Sequence, residues 1–526
     1  MFAAVKGPQQ LFKHKILLQI FVSFLANPDA RLSNLAFMCV RRFKLPYLTP
    51  YVDHVQPMLK REGLREAITK FDLSEDSEIV DAEHRRLLLP IVTRILFGRF
   101  SSRGNGTNKS SNDSPAARRA AILSFFSGIG NDEGELDYFI YMMVRTFIPR
   151  DISMEHDGVQ IDKESLKRLI ESSERITAQE LTAIPVKRQE GFLNLLSDVI
   201  TQIGFGVKCF IPTFVNLLLS ISEQTEEALL TSIENQKIKN EALNNGTTVD
   251  VDHVGGSSRI GRVRNLAFQR LADMLTKFAS SVDFSEHGDR LWKSMSTSVI
   301  ALPNTVINAE NPPSLLQLIE TISSHHRLIP LLYQSEDAVV AVFKCIAGTT
   351  RMKVMLSVLR IIDGLLTDGG TVNETNNIST NEISVGQGLI LQHIHMLITQ
   401  FNNRLTKESQ IVNLDDDVGV NQGPSNKSYR RSPTEGMQLN ILCRVSELLV
   451  SAEQANAEHV ATMDNLCCLL VRELKLDSHP NQLYLVRTVN SLIPKLSSAE
   501  AAMTHFHSLS KVSLLILCLI WICLVS

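Results

Sequence analysis

Apolar residues recur three and four apart along most of the chain, and hardly any stretch shows the two-residue alternation of a half-buried strand. In Arg31 to Phe43 the residues Leu32, Leu35, Ala36, Cys39, Val40 and Phe43 follow that spacing, leaving Arg31, Asn34, Arg41 and Arg42 for other faces. His84 to Phe97 repeats the pattern with Leu87, Leu88, Ile91, Val92, Ile95 and Leu96, and Pro90 is expected to kink or start that helix. Gln189 to Ile203 ends at Gly204 and Gly206, and a second helix is predicted from about Lys208 to Ser222 with Pro212 in its first turn. Val263 to Phe278 with Asp289 to Ile300, Leu315 to Tyr333 with Ala338 to Ile346, and Met352 to Leu366 with Leu389 to Leu405 continue the series.

A helix pair is too small to bury its own apolar stripe, so consecutive pairs are expected to stack. The predicted fold is therefore all-α, an elongated solenoid of HEAT- or armadillo-like pairs about 40 residues apart. An ordinary helical bundle would show the same local periodicity. Polar stretches interrupt the array at Ser101 to Ser114, Asn240 to Ser258 and Glu408 to Pro433, with a further polar connection at Thr371 to Ser384. Their Gly, Asn, Ser and charged residues supply little core, so they read as projecting loops or solvated spacers. The expected organisation is helical repeats at 10–100, 115–239, 259–407 and 434–510, with inserts at 101–114, 240–258 and 408–433 and an apolar tail at 511–526.

Composition narrows the class. The 526 residues are 44% hydrophobic and 21% charged with formal net charge -3, which excludes wholesale disorder and a histone-like basic protein. Eight cysteines are scattered, with only Cys467 and Cys468 adjacent, and no pair has the spacing of a zinc ribbon or redox loop; buried thiols in a reducing compartment are expected. Lys6, Lys13 and Lys15 precede the apolar run Ile16 to Leu25, but no small-residue cleavage pattern follows, so a first helix is predicted there. The apolar stretch Val512 to Val525 is shorter than the roughly 20 residues that cross a bilayer. It reads as a buried helix or non-native sequence sooner than as a tail anchor.

Catalytic patterns are missing from the linear sequence. Gly255 and Gly256 precede Ser257, Ser258 and Arg259, but no lysine completes a nucleotide loop, and the serines lack the setting of a nucleophile elbow. His325-His326, His393-His395 and His505-His507 fall on divergent helix faces, and Asp415 to Asp417 lack the spacing of a calcium loop. No enzyme, cofactor or metal site is expected.

Charge is unevenly placed. Residues 1–120 hold 19 Lys and Arg against 11 Asp and Glu, a balance of +8 that leaves -11 for the remainder. Arg41, Arg42, Arg85, Arg86, Arg94 and Arg99, with Arg259, Arg262 and Arg264 further on, would supply phosphate or protein contacts if they face solvent together. An ordinary solvated face would carry the same charges, and no base-reading module fixes a target.

The string His84 to Arg99, HRRLLLPIVTRILFGR, resembles the U3 small nucleolar RNA-associated protein 20 family, large HEAT-repeat scaffolds of the small-subunit processome also called down-regulated in metastasis. FDLSEDS at Phe71 to Ser77, GFLNLLSDV at Gly191 to Val199 and RNLAFQRLADM at Arg264 to Met274 resemble it in the same order. The resemblance implies an internal or truncated fragment of a longer nucleolar assembly factor. It also implies a non-catalytic scaffold of the 90S pre-ribosome that supports pre-rRNA processing and 18S rRNA maturation. Implied partners are pre-rRNA, the U3 small nucleolar ribonucleoprotein and other processome proteins, with no small-molecule substrate, no cofactor and no membrane. The implied location is the nucleolus, with the His84-to-Arg99 arginines as surface contacts. An importin-like or general protein-interaction solenoid is the alternative that helical periodicity alone allows.

Overall fold

Helices account for every regular element among the residues that the computed structural model describes: 7–60, 63–73, 78–102, 114–128, 135–149, 163–243, 254–349, 351–367, 383–415, 433–451, 457–474 and 482–492. The residues beyond 492, including the apolar tail, and the centres of the polar inserts lie outside that set. By internal packing the chain divides into two units, Met1–Phe278 and Ala279–Ser526.

The first unit opens with α1 (His14–Phe24) and α2 (Ala30–Arg42), which pack on each other. Asp29 caps α2 by accepting from the Arg31 amide, satisfying one of the orphan donors at the helix start. Two short helices, α3 (Val52–Val55) and α4 (Leu64–Thr69), lead to α5 (Ala82–Ser101). That helix was expected to keep a polar outer face. Instead α1, α2, α6 (Pro115–Gly128) and α7 (Glu135–Val144) all contact it, and it is buried around most of its circumference, Pro90 included, well inside the helix. Gly98 makes the tightest of these approaches possible: a Cβ there would lie 2.9 Å from the carbonyl oxygen of Asn27.

The unit continues through α8 (Lys163–Ser172) and α9 (Ala178–Thr182), the latter opened by a capping box between Thr177 and Glu180. Next come α10 (Val186–Ile203), α11 (Ile211–Leu243) and α12 (Val254–Phe278). Gly204, at φ 64°, ends α10 and starts a 3-10 turn to Phe210, after which Pro212 occupies the first turn of α11. Helix α12 packs against both α10 and α11. The stretch Val186–Ser232 has the length and apolarity of a membrane span, but it is two helices broken by that turn and is mostly buried inside the protein. Helix α11 runs well past Ser222 and α12 begins before Val263, so the insert expected at 240–258 is helical in backbone at both described edges.

The second unit is built as two rows. Helices α14 (Ser296–Ile307), α17 (Glu336–Gly348), α20 (Ile394–Asp415) and α22 (Ala457–Leu474) touch in succession. So do α15 (Ser314–Ser323), α18 (Met352–Leu366), α21 (Pro433–Ser451) and α23 (Gln482–Leu492). Ser296 and Glu336 open equivalent helices 40 residues apart, the interval anticipated for HEAT-like pairs. Three short helices, α13 (Gly288–Lys293), α16 (Ile329–Tyr333) and α19 (Val385–Gln392), fill the corners. The single helices expected over Leu315 to Tyr333 and Leu389 to Leu405 are therefore each broken, the first over residues 324–328, after which Pro330 sits in the first turn of α16, where its missing amide hydrogen costs little. The second breaks at His393, with φ −118° and ψ 19°.

Candidate interaction surface

The sequence pointed to a row of arginines, and the structure divides that row. Arg41 and Arg42 are exposed in the last turn of α2, where cations complement the negative end of the helix dipole. Arg86 and Arg259 are exposed as well. Arg85, Arg94 and Arg99 are not surface residues: 4%, 2% and 0% of their area reaches solvent. The expectation that all four arginines of His84 to Arg99 face outward is corrected here, because α5 lies in the interior of its unit.

What these buried guanidiniums do is set by their neighbours. Arg94 stacks over the Tyr138 ring, 5.7 Å from its centroid, and its charge partly opposes the rise that burial imposes on the Tyr138 pKa. Arg99 donates to the carbonyl of Asn27 (3.0 Å), beyond α1, and to that of Leu59 (3.4 Å), ending a 3-10 turn. Arg118 repeats the device one helix later, donating to the carbonyls of Arg99 (3.2 Å) and Ser102 (2.9 Å) at the end of α5. Lys277 caps α10 by donating to the Ile200 and Thr201 carbonyls, and Arg404 caps α17 through Ile346 and Thr349. The last carbonyls of a helix have no partner within it and carry partial negative charge, so a cation reaching from the adjacent helix satisfies both needs. Much of the basic character in these strings is inter-helix capping.

A second arrangement was missed. In the first unit a groove of about 680 Å³ runs between the end of α1, the end of α5, α7 and the start of α10. Its floor carries Phe97, Phe100, Phe147 and Phe192, with Met142 and Met143, and Phe24 and Leu195 stand on its walls. Arg119, Arg145, Lys187 and Arg188 line it, against one carboxylate, Glu190. Glu190 is engaged by Arg262 at 3.0 Å and Arg119 by Asp198 at 2.7 Å. Lys187 and Arg188 are exposed and make no ion pair among the described residues. They occupy the first turn of α10, which has no acidic residue and no side-chain cap, so their charges oppose the helix dipole. Helices prefer acids in that turn, and this reversal at Pro185-Val186-Lys187-Arg188 is the one signal in the sequence that could have flagged the groove.

Of the predicted residues, Arg262 reaches this groove through Glu190, while Arg264 is half-buried and pairs with Glu226 at 3.6 Å on α11. Among the described residues no three His, Cys, Asp or Glu side chains gather to hold a metal. Cys345, Cys443 and Cys467 are buried and their thiols are pushed up to about 12, 11 and 12 by desolvation, whereas Cys209 and Cys468 are exposed.

Residues 1–515 match the family model for U3 small nucleolar RNA-associated protein 20, N-terminal. The chain belongs to that family. A relative in Schizosaccharomyces pombe (strain 972 / ATCC 24843), the U3 small nucleolar RNA-associated protein 20, is 24% identical over 222 residues, covering 42% of this chain. That match spans only 8% of the relative's length.

Proposed function

We propose that this chain is a non-catalytic scaffold segment of the small-subunit processome, the 90S pre-ribosome, supporting early pre-rRNA processing and 18S rRNA maturation in the nucleolus. Membership of the U3 small nucleolar RNA-associated protein 20 family across residues 1–515 is the observation that carries this reading. The stacked helix pairs support it physically, since such stacks offer extended contact surfaces. Arg41, Arg42, Arg86 and Arg259, all exposed, are the proposed contacts to particle RNA or protein; Arg262 and Arg264 join them only by exchanging their present carboxylate partners.

The test is co-purification of the full-length protein with U3-containing particles, together with depletion. The expected result is enrichment in those particles and accumulation of 18S precursors on depletion. Absence from the particles with unchanged 18S maturation would refute the assignment.

A further inference from the structure

The groove of the first unit has a chemical character that the scaffold reading does not use. Its one carboxylate is already engaged by Arg262, which leaves Lys187 and Arg188 at the start of α10, with Arg145 just after α7, as charge in excess. The end of α1 lines the groove with Phe24, and an apolar stripe on that helix continues past it. Phe24, Ile20 and Ile16 lie four apart on α1, so they project from nearly one face of the helix. All three are large, and Phe24 is 46% exposed, Ile20 43% and Ile16 48%. Basic charge beside an aliphatic stripe at helical spacing is the complement of an amphipathic acidic helix.

We infer that this groove receives an acidic, amphipathic segment of a partner protein. Carboxylates of that segment would meet Lys187, Arg188 and Arg145, and leucine-like side chains at three- and four-residue spacing would cover Phe24, Ile20 and Leu195. The same groove suits RNA poorly. Single-stranded RNA is held by aromatic faces on which successive bases stack. Here Phe100, Phe147 and Phe192 are buried, and Phe97 is packed edge-on against Phe139. Only Phe24 offers an open ring face, and the rest of the exposed stripe is aliphatic. Fixing an anion at the uncapped, doubly basic start of α10 would relieve the unfavourable dipole there as well.

The inference rests on the scaffold reading only in taking the occupant to be another protein of the assembly, and its test is independent of particle association. The purified full chain is used to select from a display library of random peptides about 20 residues long, roughly five helical turns. The Lys187→Glu/Arg188→Glu double variant and Phe24→Asp serve as comparators. Both alter exposed side chains, and circular dichroism and unfolding midpoints matching the parent establish that they fold. The expected outcome is enrichment of sequences with Asp or Glu on one helical face and Leu, Ile or Phe on the other. Binding of an enriched peptide should fall about tenfold or more in each variant, and raised salt should weaken the parent's binding. No enrichment, enrichment without acidic residues, or binding equal in parent and variants would overturn it. So would displacement of the peptide by a polyuridine oligonucleotide whose binding is lost in the same variants, which would assign the groove to RNA. If peptide binding holds while the protein is absent from U3 particles, the scaffold reading fails and the groove assignment stands.

Discussion

Arg99 separates two accounts of the basic string in α5. As a surface contact it would be dispensable for folding, and its loss would weaken binding in a salt-sensitive way. In the structure it is wholly buried and its guanidinium joins three parts of the first unit, with hydrogen bonds to the carbonyls of Asn27 and Leu59. Arg99→Ala strips both acceptors of this donor. The Leu59 carbonyl lies in a buried setting, where the loss is worth about 2 kcal/mol. Asn27 borders the groove and water can replace part of its bond, so about 1 kcal/mol is assigned there. The sum is about 3 kcal/mol, or roughly a hundredfold in local opening. Amide hydrogen exchange read over 82–102 measures it, with a hundredfold loss of protection expected at both low and high salt because the bonds are shielded from ions. Arg99→Lys keeps the charge but not the fork and should fall between. Exchange in Arg99→Ala within about twofold of the parent, the behaviour expected of exposed Arg86→Ala, would refute the capping role.

Four further outcomes are expected. Leu196→Asp buries a charge at a site with no solvent access and should unfold the first unit, whereas Leu195→Asp, on the groove wall, should cost under about 1 kcal/mol; thermal unfolding distinguishes them. Gly364→Ala places a Cβ 2.5 Å from the Ser323 carbonyl oxygen, backbone that cannot move aside, and should lower the second unit's unfolding free energy by about 1–3 kcal/mol, read from denaturant unfolding. Iodoacetamide should modify Cys209 and Cys468 in the folded protein and reach Cys345, Cys443 and Cys467 only after unfolding, as mass spectrometry of tryptic peptides will report. Because those three thiols ionise near 9 when unfolded but near 11 to 12 when folded, their contribution is complete below pH 9 and lost as pH rises toward 12; chemical denaturation across that window should show alkaline destabilisation of the second unit that Cys→Ser replacement at the three positions removes.

Periodicity found many of the helices, but the one read over Asp289 to Ile300 is two, α13 and α14, and α12, expected to pair with it, packs on α10 and α11 instead. Met352 to Leu366 has the bounds read from its pattern, and the interval of about 40 residues is present between α14 and α17. Helix breaks at His393 and before Pro330 were less visible, because the apolar spacing runs on through both. The arginines show a deeper limit. A guanidinium that caps a helix end in the core and one that faces solvent have identical sequence signatures, and only tertiary position tells Arg99 from Arg86. The groove was hidden for a related reason: Phe24, Arg145 and Lys187 are far apart in sequence and meet only when α1, α7 and α10 close around α5. The charge count over residues 1–120 saw Arg119 but not the later cations that line the groove.

The two-row packing of the second unit also governs how its chain can reach the native state. Each helix finds its principal partners within its own pair or one pair away, so no rung waits on a distant stretch of polypeptide. Sequence-local contacts close quickly because little loop entropy opposes them. A chain leaving the ribosome can therefore complete α14 against α17, and α15 against α18, before α22 and α23 have been synthesised. The newest pair then shows an unpaired apolar edge until its successor arrives. Such an edge, present only during synthesis, is the apolar surface that a chaperone would meet on the growing chain.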